Sequence, residues 1–205
     1  MLERLLEQTP MPLLWGASLL LGYLMGAIPM GYLVAKLFYN KDITQEGSGN
    51  TGGTNVMRLC GKNAGLAVYA LDFIKAALPV LLLRYLLPQE AWLHVLVGVI
   101  AIVGHSKSVF LGFKGGKSAM SSLGVIFALS PYSALALGLL AVILILSTRV
   151  VSIASLTAAF LATPVMYLFG SPKPYLTFTV AACVLVFLRH RDNIKRLIAG
   201  TENKI

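Results

Sequence analysis

The run AMSSLGVIFALSPYSALALGLLAVILIL, Ala119 to Leu146, reads either as one long broken apolar element or as two short ones divided at Ser130-Pro131. Proline lacks an N–H, and its ring disfavours helical backbone in the residue before it, so a helix stops at Ser130 more readily than it passes through. The choice decides the topology. If the run crosses a membrane twice, every later loop lies on the opposite side from where a single crossing would leave it.

That a membrane is the right frame follows from composition. Of 205 residues, 57% are hydrophobic and only 12% charged, against roughly 25% charged in soluble domains, and the mean hydropathy is +0.79. Working outward from Ser130-Pro131, apolar runs at Leu13 to Phe38, Ala64 to Leu87, Trp92 to Val103, Ala119 to Leu129, Tyr132 to Leu146, Val150 to Phe169 and Tyr175 to Leu188 predict an all-α polytopic integral membrane protein of about seven transmembrane helices. Gly16, Gly22, Gly26 and Gly31 offer close-packing faces on the first span, and Pro29 a kink. The N-terminal Met1 to Pro12 is mixed in charge, and the apolar run after it is too long for a signal-peptide core.

Charge supports seven spans. The chain carries a formal +9. With a turn at Ser130-Pro131, the first, third and fifth connections and the tail hold twelve cations: Lys41, Arg58, Lys62, Lys107, Lys114, Lys117, Arg149, Arg189, Arg191, Lys195, Arg196 and Lys204. The other side holds Arg4, Arg84 and Lys173. Positive residues stay inside, which puts the N-terminus outside and the polar loops in the cytoplasm. The same distribution leaves no separate basic domain for nucleic acid.

Two polar loops interrupt the apolar pattern. The first, Gly47-Ser48-Gly49-Asn50-Thr51-Gly52-Gly53-Thr54-Asn55-Val56-Met57-Arg58, has glycines that can turn amides toward a common centre and short polar side chains around it. Such a concavity favours an anion, which Arg58 could clasp with its planar fork; the same composition also suits an ordinary polar connection. The second, Gly104-His105 through Lys114-Gly115-Gly116-Lys117-Ser118, crowds glycines against lysines. It fails the GxxxxGK[ST] pattern because Leu111 stands where a glycine is needed, but amides of Gly115 and Gly116 with Lys114 and Lys117 could still hold phosphate.

Other chemistries find less support. Cys60 and Cys183 lie far apart without metal-ligand spacing, and neither a metal nor a cofactor is expected. Five residues after His94, His105 and His190 come Val99, Phe110 and Lys195, so no HxxxxD acyltransferase pattern exists, and no Gly-x-Ser-x-Gly elbow is followed by Asp and His. His105 and His190 each read as a general base, a phosphate ligand or an interfacial histidine, and His94 as structural. Asp72 and Lys75, three residues apart on one helical face, read as an ion pair within a span.

Three segments in order, GSGNTGGTNVMRLCG, GHSKSVFLGFKGGKS and RHRDNIKRLIAGTENK, together with Asp72, Lys75, Arg149 and Ser152, resemble the bacterial acyl-phosphate:glycerol-3-phosphate acyltransferases, the PlsY family. The family usually has proline at Ser108, a small residue such as glycine at Ser118 and often alanine at Gly53, departures that remove no donor. The resemblance implies one membrane-embedded domain over residues 1–205. It also implies transfer of a fatty acyl group from acyl phosphate to the 1-hydroxyl of glycerol 3-phosphate, giving lysophosphatidic acid and inorganic phosphate. This is the first step of phospholipid synthesis, at the inner membrane of a bacterium. It places Ser48, Asn50, Thr54, Arg58, Lys117 and Ser152 on the acyl-phosphate head, with Gly47, Gly49 and Asn55 as further substrate-binding residues of the loop. His190, Asn193, His105 and Lys114 fall on the glycerol 3-phosphate side. The expected partners are the two substrates and membrane lipid, with the protein a monomer. A small anion transporter is the rival reading, since broken helices and reentrant glycine loops suit it as well; a non-catalytic subunit is a third.

Overall fold

The structure, a computed structural model, describes residues 10–205; the mixed-charge N-terminus with Arg4 lies outside the described residues. The described chain is helical, without a named strand. The first apolar run forms two helices, α1 (Met11–Ala27) and α2 (Met30–Tyr39). They part at Ile28-Pro29, so the expected kink is a full break between two ends of one 29-residue apolar segment. A polar connection leads to α3 (Gly53–Cys60), and the long α4 (Lys62–Leu86) follows with Pro79 inside it. Next come α5 (Ala91–Ser106) and a loop bearing a single 3-10 turn at Val109–Leu111.

At Ser130 the backbone is extended (φ −151°, ψ 88°), separating α6 (Ala119–Leu129) from α7 (Pro131–Thr148), whose first position is the proline. That is the conformation a pre-proline residue prefers, and the missing proline N–H costs nothing at a helix start. Two helices therefore form where one was the alternative. They are followed by α8 (Val151–Leu168), α9 (Lys173–Arg189) and the short α10 (Arg191–Ile198).

Four segments are long and apolar enough to cross a membrane: Met11–Tyr39, α4, α7 and α8. Helices α5 and α6 are shorter, and α6, at about 16 Å, falls well short of the ~30 Å hydrocarbon thickness. Leu93, Val97, Ile102, Val125, Leu137, Met166 and Phe178 form the core between α5 and the helices that follow it. A smaller cluster of Ile43, Val56, Ala64 and Val68 underlies the first glycine loop. Leu37, Phe38, Leu139, Leu146, Phe160 and Leu168 face outward, as lipid-facing side chains do.

Small residues set how closely the first helix packs. A Cβ on Gly22 or Gly26 would strike Val97 or Ala101 of α5, and one on Gly31 would strike the Thr51 carbonyl, whereas Gly16 faces open space. At the end of the bundle away from the glycine loops, His94 accepts from the Tyr175 hydroxyl (3.0 Å) and donates to the Leu87 carbonyl (2.9 Å), a satisfied structural histidine. Arg84 reaches the Ala128 and Leu129 carbonyls there, tying α4 to the end of α6.

Candidate active site

The first glycine loop is shaped from below by Asn55. Its Oδ1 accepts the Ser48 amide (3.0 Å), and its Nδ2 donates to the Ile43 and Glu46 carbonyls (both 3.2 Å). Gly47 adopts φ +62° directly against that amide, a conformation costly for any residue with a Cβ. Asn50 accepts the Gly52 amide (2.9 Å), closing a turn that delivers the chain into α3, and Thr54 shares a 2.6 Å hydrogen bond with the Tyr69 hydroxyl. Asn55 is thus a scaffold, spending its amide on the loop itself.

The second loop works differently. Its neck closes where the Ser108 amide meets the Lys114 carbonyl (3.2 Å), and the Ser108 hydroxyl donates to the Ala27 carbonyl (2.6 Å) at the end of α1. The Gly116 amide donates to the His105 carbonyl (3.0 Å), so it is not free for phosphate. The carbonyls of Gly115 and Gly116 accept from the Arg189 guanidinium at 3.0 and 3.2 Å. A Cβ on Gly116 would land on the His105 ring. These glycines allow close approach, and the engaged amide of Gly116 corrects the expectation that it cradles an anion; neither Gly115 nor Gly116 lines the cavity described below. Lys114, exposed, and Gly49 are not among the residues that line that cavity.

Lys117 turns inward and donates to Asn193 Oδ1 (2.6 Å), joining the second loop to α10. From there a hub forms around Glu202. It accepts from Asn193 Nδ2 (2.5 Å) and the Ser152 hydroxyl (2.9 Å) on one oxygen, and from Arg196 Nε (2.7 Å) on the other. Arg58 reaches the Asn203 carbonyl (3.3 Å), and Arg149, at φ +60°, the Ile205 carbonyl (2.9 Å). The tail therefore lies over the side chains nominated to bind phosphate.

Gly47, Ser48, Asn50, Thr54, Asn55, Arg58, His105, Lys117, Ser152, His190 and Asn193 all line one cavity of about 1510 Å³. Its polar end continues into an apolar channel between α6, α7, α8 and α9, where Ala154, Ala158, Ala159 and Ala162 leave room opposite Leu123, Ile126, Leu137 and Ala141. Burial pushes the Lys117 ammonium down to about 8, against the pull of Glu202. Burial likewise pushes His190 down to about 4, with Lys117 beside it adding to the effect, while its Nδ1–H donates to the Val186 carbonyl (2.8 Å). His190 is therefore neutral near pH 7 with a bare Nε2. Burial would raise the Glu202 carboxyl, but hydrogen bonds from Asn193, Arg196 and Ser152 outweigh it and hold the group below its ordinary value.

Sequence reasoning missed Glu202, Arg189 and Ser122. Glu202 was visible as the last acid in a basic tail, Arg189 only as another cation, and Ser122 as a serine in an apolar helix. Three buried side-chain atoms lack a hydrogen-bond partner among the described residues: Asp72 Oδ1, His105 Nδ1 and Ser122 Oγ. All three residues line this cavity.

A cationic, hydroxyl-rich pocket that opens into an apolar channel suits an amphiphile with an anionic head, and known proteins share both the sequence and the fold. The profile of the glycerol-3-phosphate acyltransferase family matches residues 16–200. The chain belongs to that family. A glycerol-3-phosphate acyltransferase of Nostoc sp. is 43% identical over 209 residues, covering 94% of this chain and 92% of that protein. One from Synechocystis sp. is 45% identical, covering 91% and 89%. The crystal structure of PlsY, an integral membrane glycerol 3-phosphate acyltransferase, in its glycerol 3-phosphate form is 38% identical, covers 93% of this chain and 95% of that one, and superposes with a TM-score of 0.88. Its lysophosphatidic acid form is 37% identical, with a TM-score of 0.87. This chain is a membrane enzyme of the same family.

Proposed function

We propose that the enzyme transfers a fatty acyl group from acyl phosphate to the 1-hydroxyl of glycerol 3-phosphate, releasing lysophosphatidic acid and inorganic phosphate. The observation that carries this reading is the continuity of one cavity from Arg58, Lys117 and Ser152 to the alanine-lined channel. A phosphate head and an acyl chain are bound by opposite physics, electrostatics at one end and apolar burial at the other. Only a molecule with both parts uses the whole space.

In this reading Ser48, Asn50, Thr54, Arg58, Lys117 and Ser152 hold the acyl-phosphate head, and His190, Asn193 and His105 orient glycerol 3-phosphate. The hydroxyl oxygen forms a bond to the acyl carbon, the acyl carbon–phosphate oxygen bond breaks, and the departing phosphate finally carries the hydroxyl proton. Lys117 and Arg58 offset the charge developing on the carbonyl and phosphate oxygens. An acyl phosphate is already activated, so no acyl-enzyme is needed. Lys114, outside the cavity, serves as an interfacial cation.

We infer seven crossings, with the N-terminus outside and the site facing the cytoplasm of a bacterial inner membrane, and a monomer as the working unit. Support comes from the twelve-to-three distribution of cations and from the meeting of both glycine loops and the tail at one cavity end, through the Lys117–Asn193 and Arg58–Asn203 contacts. A transporter would need a path to the other face, whereas Leu137, Ala162 and Thr179, which line the cavity, are all buried.

The test is phosphate release by purified protein given acyl phosphate and glycerol 3-phosphate. Release that requires both substrates and equals the lysophosphatidic acid formed is the expected result. Phosphate counterflow in liposomes without acyl transfer would replace this reading with the transporter.

A further inference from the structure

The first glycine loop delivers the chain into α3, and α3 lies so close to the start of α4 that two glycines face each other across the contact. A Cβ on Gly65 would strike Met57 and the Gly53 carbonyl, and one on Gly53 would strike the Gly65 carbonyl and the Tyr69 ring. The absent side chain at Gly53 therefore gives that ring its place. Reaching across from α4, the Tyr69 hydroxyl meets Thr54 Oγ1 of α3 at 2.6 Å. Thr54 and Arg58, four residues apart, share one face of α3, and both line the cavity together with Tyr69.

A count of donors shows what this pair leaves over. Each hydroxyl carries one proton, a single proton lies between the two oxygens, and neither hydroxyl has another hydrogen-bond partner among the described residues. One proton is left without an acceptor, on residues at the polar end of the cavity. A phenol is a stronger acid than an aliphatic alcohol, so it is the better donor and the alcohol the better acceptor. The shared proton therefore belongs to Tyr69, and the Thr54 proton is the spare one. An anion that accepts the Thr54 proton strengthens the same chain, because a hydroxyl that donates becomes a better acceptor. Without the phenol, the Thr54 hydroxyl would be free to turn back to a backbone carbonyl of its own helical turn, the usual alternative for threonine.

We propose that Tyr69 is a positioning residue for the acyl donor: its hydroxyl donates to Thr54 Oγ1 and thereby holds the Thr54 proton toward the cavity for an oxygen of the phosphate head. The proposal rests on the acyltransfer reading above and adds to it. Tyr69 acts through Thr54, so its effect falls on acyl phosphate and disappears when position 54 has no hydroxyl.

Two measurements test it. The first is steady-state kinetics with each substrate varied in turn. Tyr69→Phe keeps the ring against Gly53 and should lower kcat/KM for acyl phosphate roughly fivefold, the net worth of one hydrogen bond, with KM for glycerol 3-phosphate unchanged. The same change should cost the same factor in a Thr54→Ser background, which retains a hydroxyl, and nothing in a Thr54→Val background, which has none to orient. Equal losses in all three backgrounds would overturn the proposal, reducing Tyr69 to a tie between α3 and α4, and so would a Tyr69→Phe enzyme as fast as the parent. Thr54→Val places a methyl group against the phenol and can fail to fold, so the second measurement uses Tyr69→Phe alone. Titration calorimetry with inorganic phosphate should show binding roughly fivefold weaker in Tyr69→Phe than in the parent; equal affinity would overturn the proposal. Phosphate binding is read without turnover, so its failure is distinct from failure of the acyltransfer reading, which the two-substrate assay on the parent decides.

Discussion

In the first glycine loop Ser48, Asn50, Thr54 and Arg58 line the cavity while Asn55 holds the backbone from beneath; in the second, Gly115 and Gly116 give their carbonyls to Arg189 and stay outside the cavity, and of the loop's lysines only Lys117 enters. The residue types are alike and the uses opposite. In the first loop glycine permits a conformation, as Gly47 does at φ +62°. In the second it permits contact, as Gly116 does beneath the His105 ring. Glycine density near a cation thus marks a constraint on the backbone without saying which one, and the cation's direction decides what reaches substrate.

The sharpest break in that comparison is between Lys117 and Lys114 of the second loop. Lys117→Met should lower kcat/KM by roughly 100- to 1000-fold, the usual loss when a group stabilising a developing charge is removed. A steady-state assay with both substrates varied checks this.

The pH dependence of Lys117 follows from its burial. Its ammonium releases a proton near 8 in the folded enzyme; the unfolded chain holds it to about 10.4. Between those values the unfolded state binds more protons, so this group makes native stability rise with pH while activity, which needs the cation, falls. A pH–rate profile should show an alkaline limb near 8, with activity dropping about tenfold per unit beyond it. Lys117→Arg, which stays charged, should move that limb upward in whatever activity it retains.

Gly116→Ala should act mainly through His105. The added methyl forces the ring or the loop to shift, at a cost of about 1–3 kcal/mol in stability, readable as a lowered thermal midpoint in detergent together with a reduced kcat. Smallest of all, Lys114→Ala should leave kcat and KM within about twofold, since its ammonium lies outside the cavity; a large loss would restore the second loop as a two-lysine cradle.

Much of the helical layout was legible because membrane burial writes itself into composition, and Pro131 marked its own helix start. The break at Ile28-Pro29 was legible only as a kink. Sequence shows that Pro29 has no N–H, but the need to free the Ile28 carbonyl for Lys75 appears only once α4 is packed alongside. Within the site, Ser48, Arg58, Lys117, Ser152, His190 and Asn193 could be nominated from loop chemistry and family resemblance, and they meet in one cavity. Glu202 could not, because its role depends on the tail folding back so that Ser152 and Asn193, 41 positions apart in sequence, donate to one carboxylate oxygen. The Asp72–His105 approach was hidden for the same reason: Lys75 offers Asp72 a sufficient partner within one helix turn, and local spacing cannot show a second partner on another helix.

The central claim is that the first glycine loop, closed by Arg58, holds the phosphate of the acyl donor. Arg58 is solvent-exposed and bonds only the Asn203 carbonyl among the described residues, so its removal should leave the fold intact. Initial-rate measurement of lysophosphatidic acid formation by Arg58→Ala, with acyl phosphate varied, is the most direct test. A fall in kcat/KM for acyl phosphate of roughly 100-fold or more, with an unchanged thermal midpoint, is the predicted result; a rate near that of the parent would contradict the account.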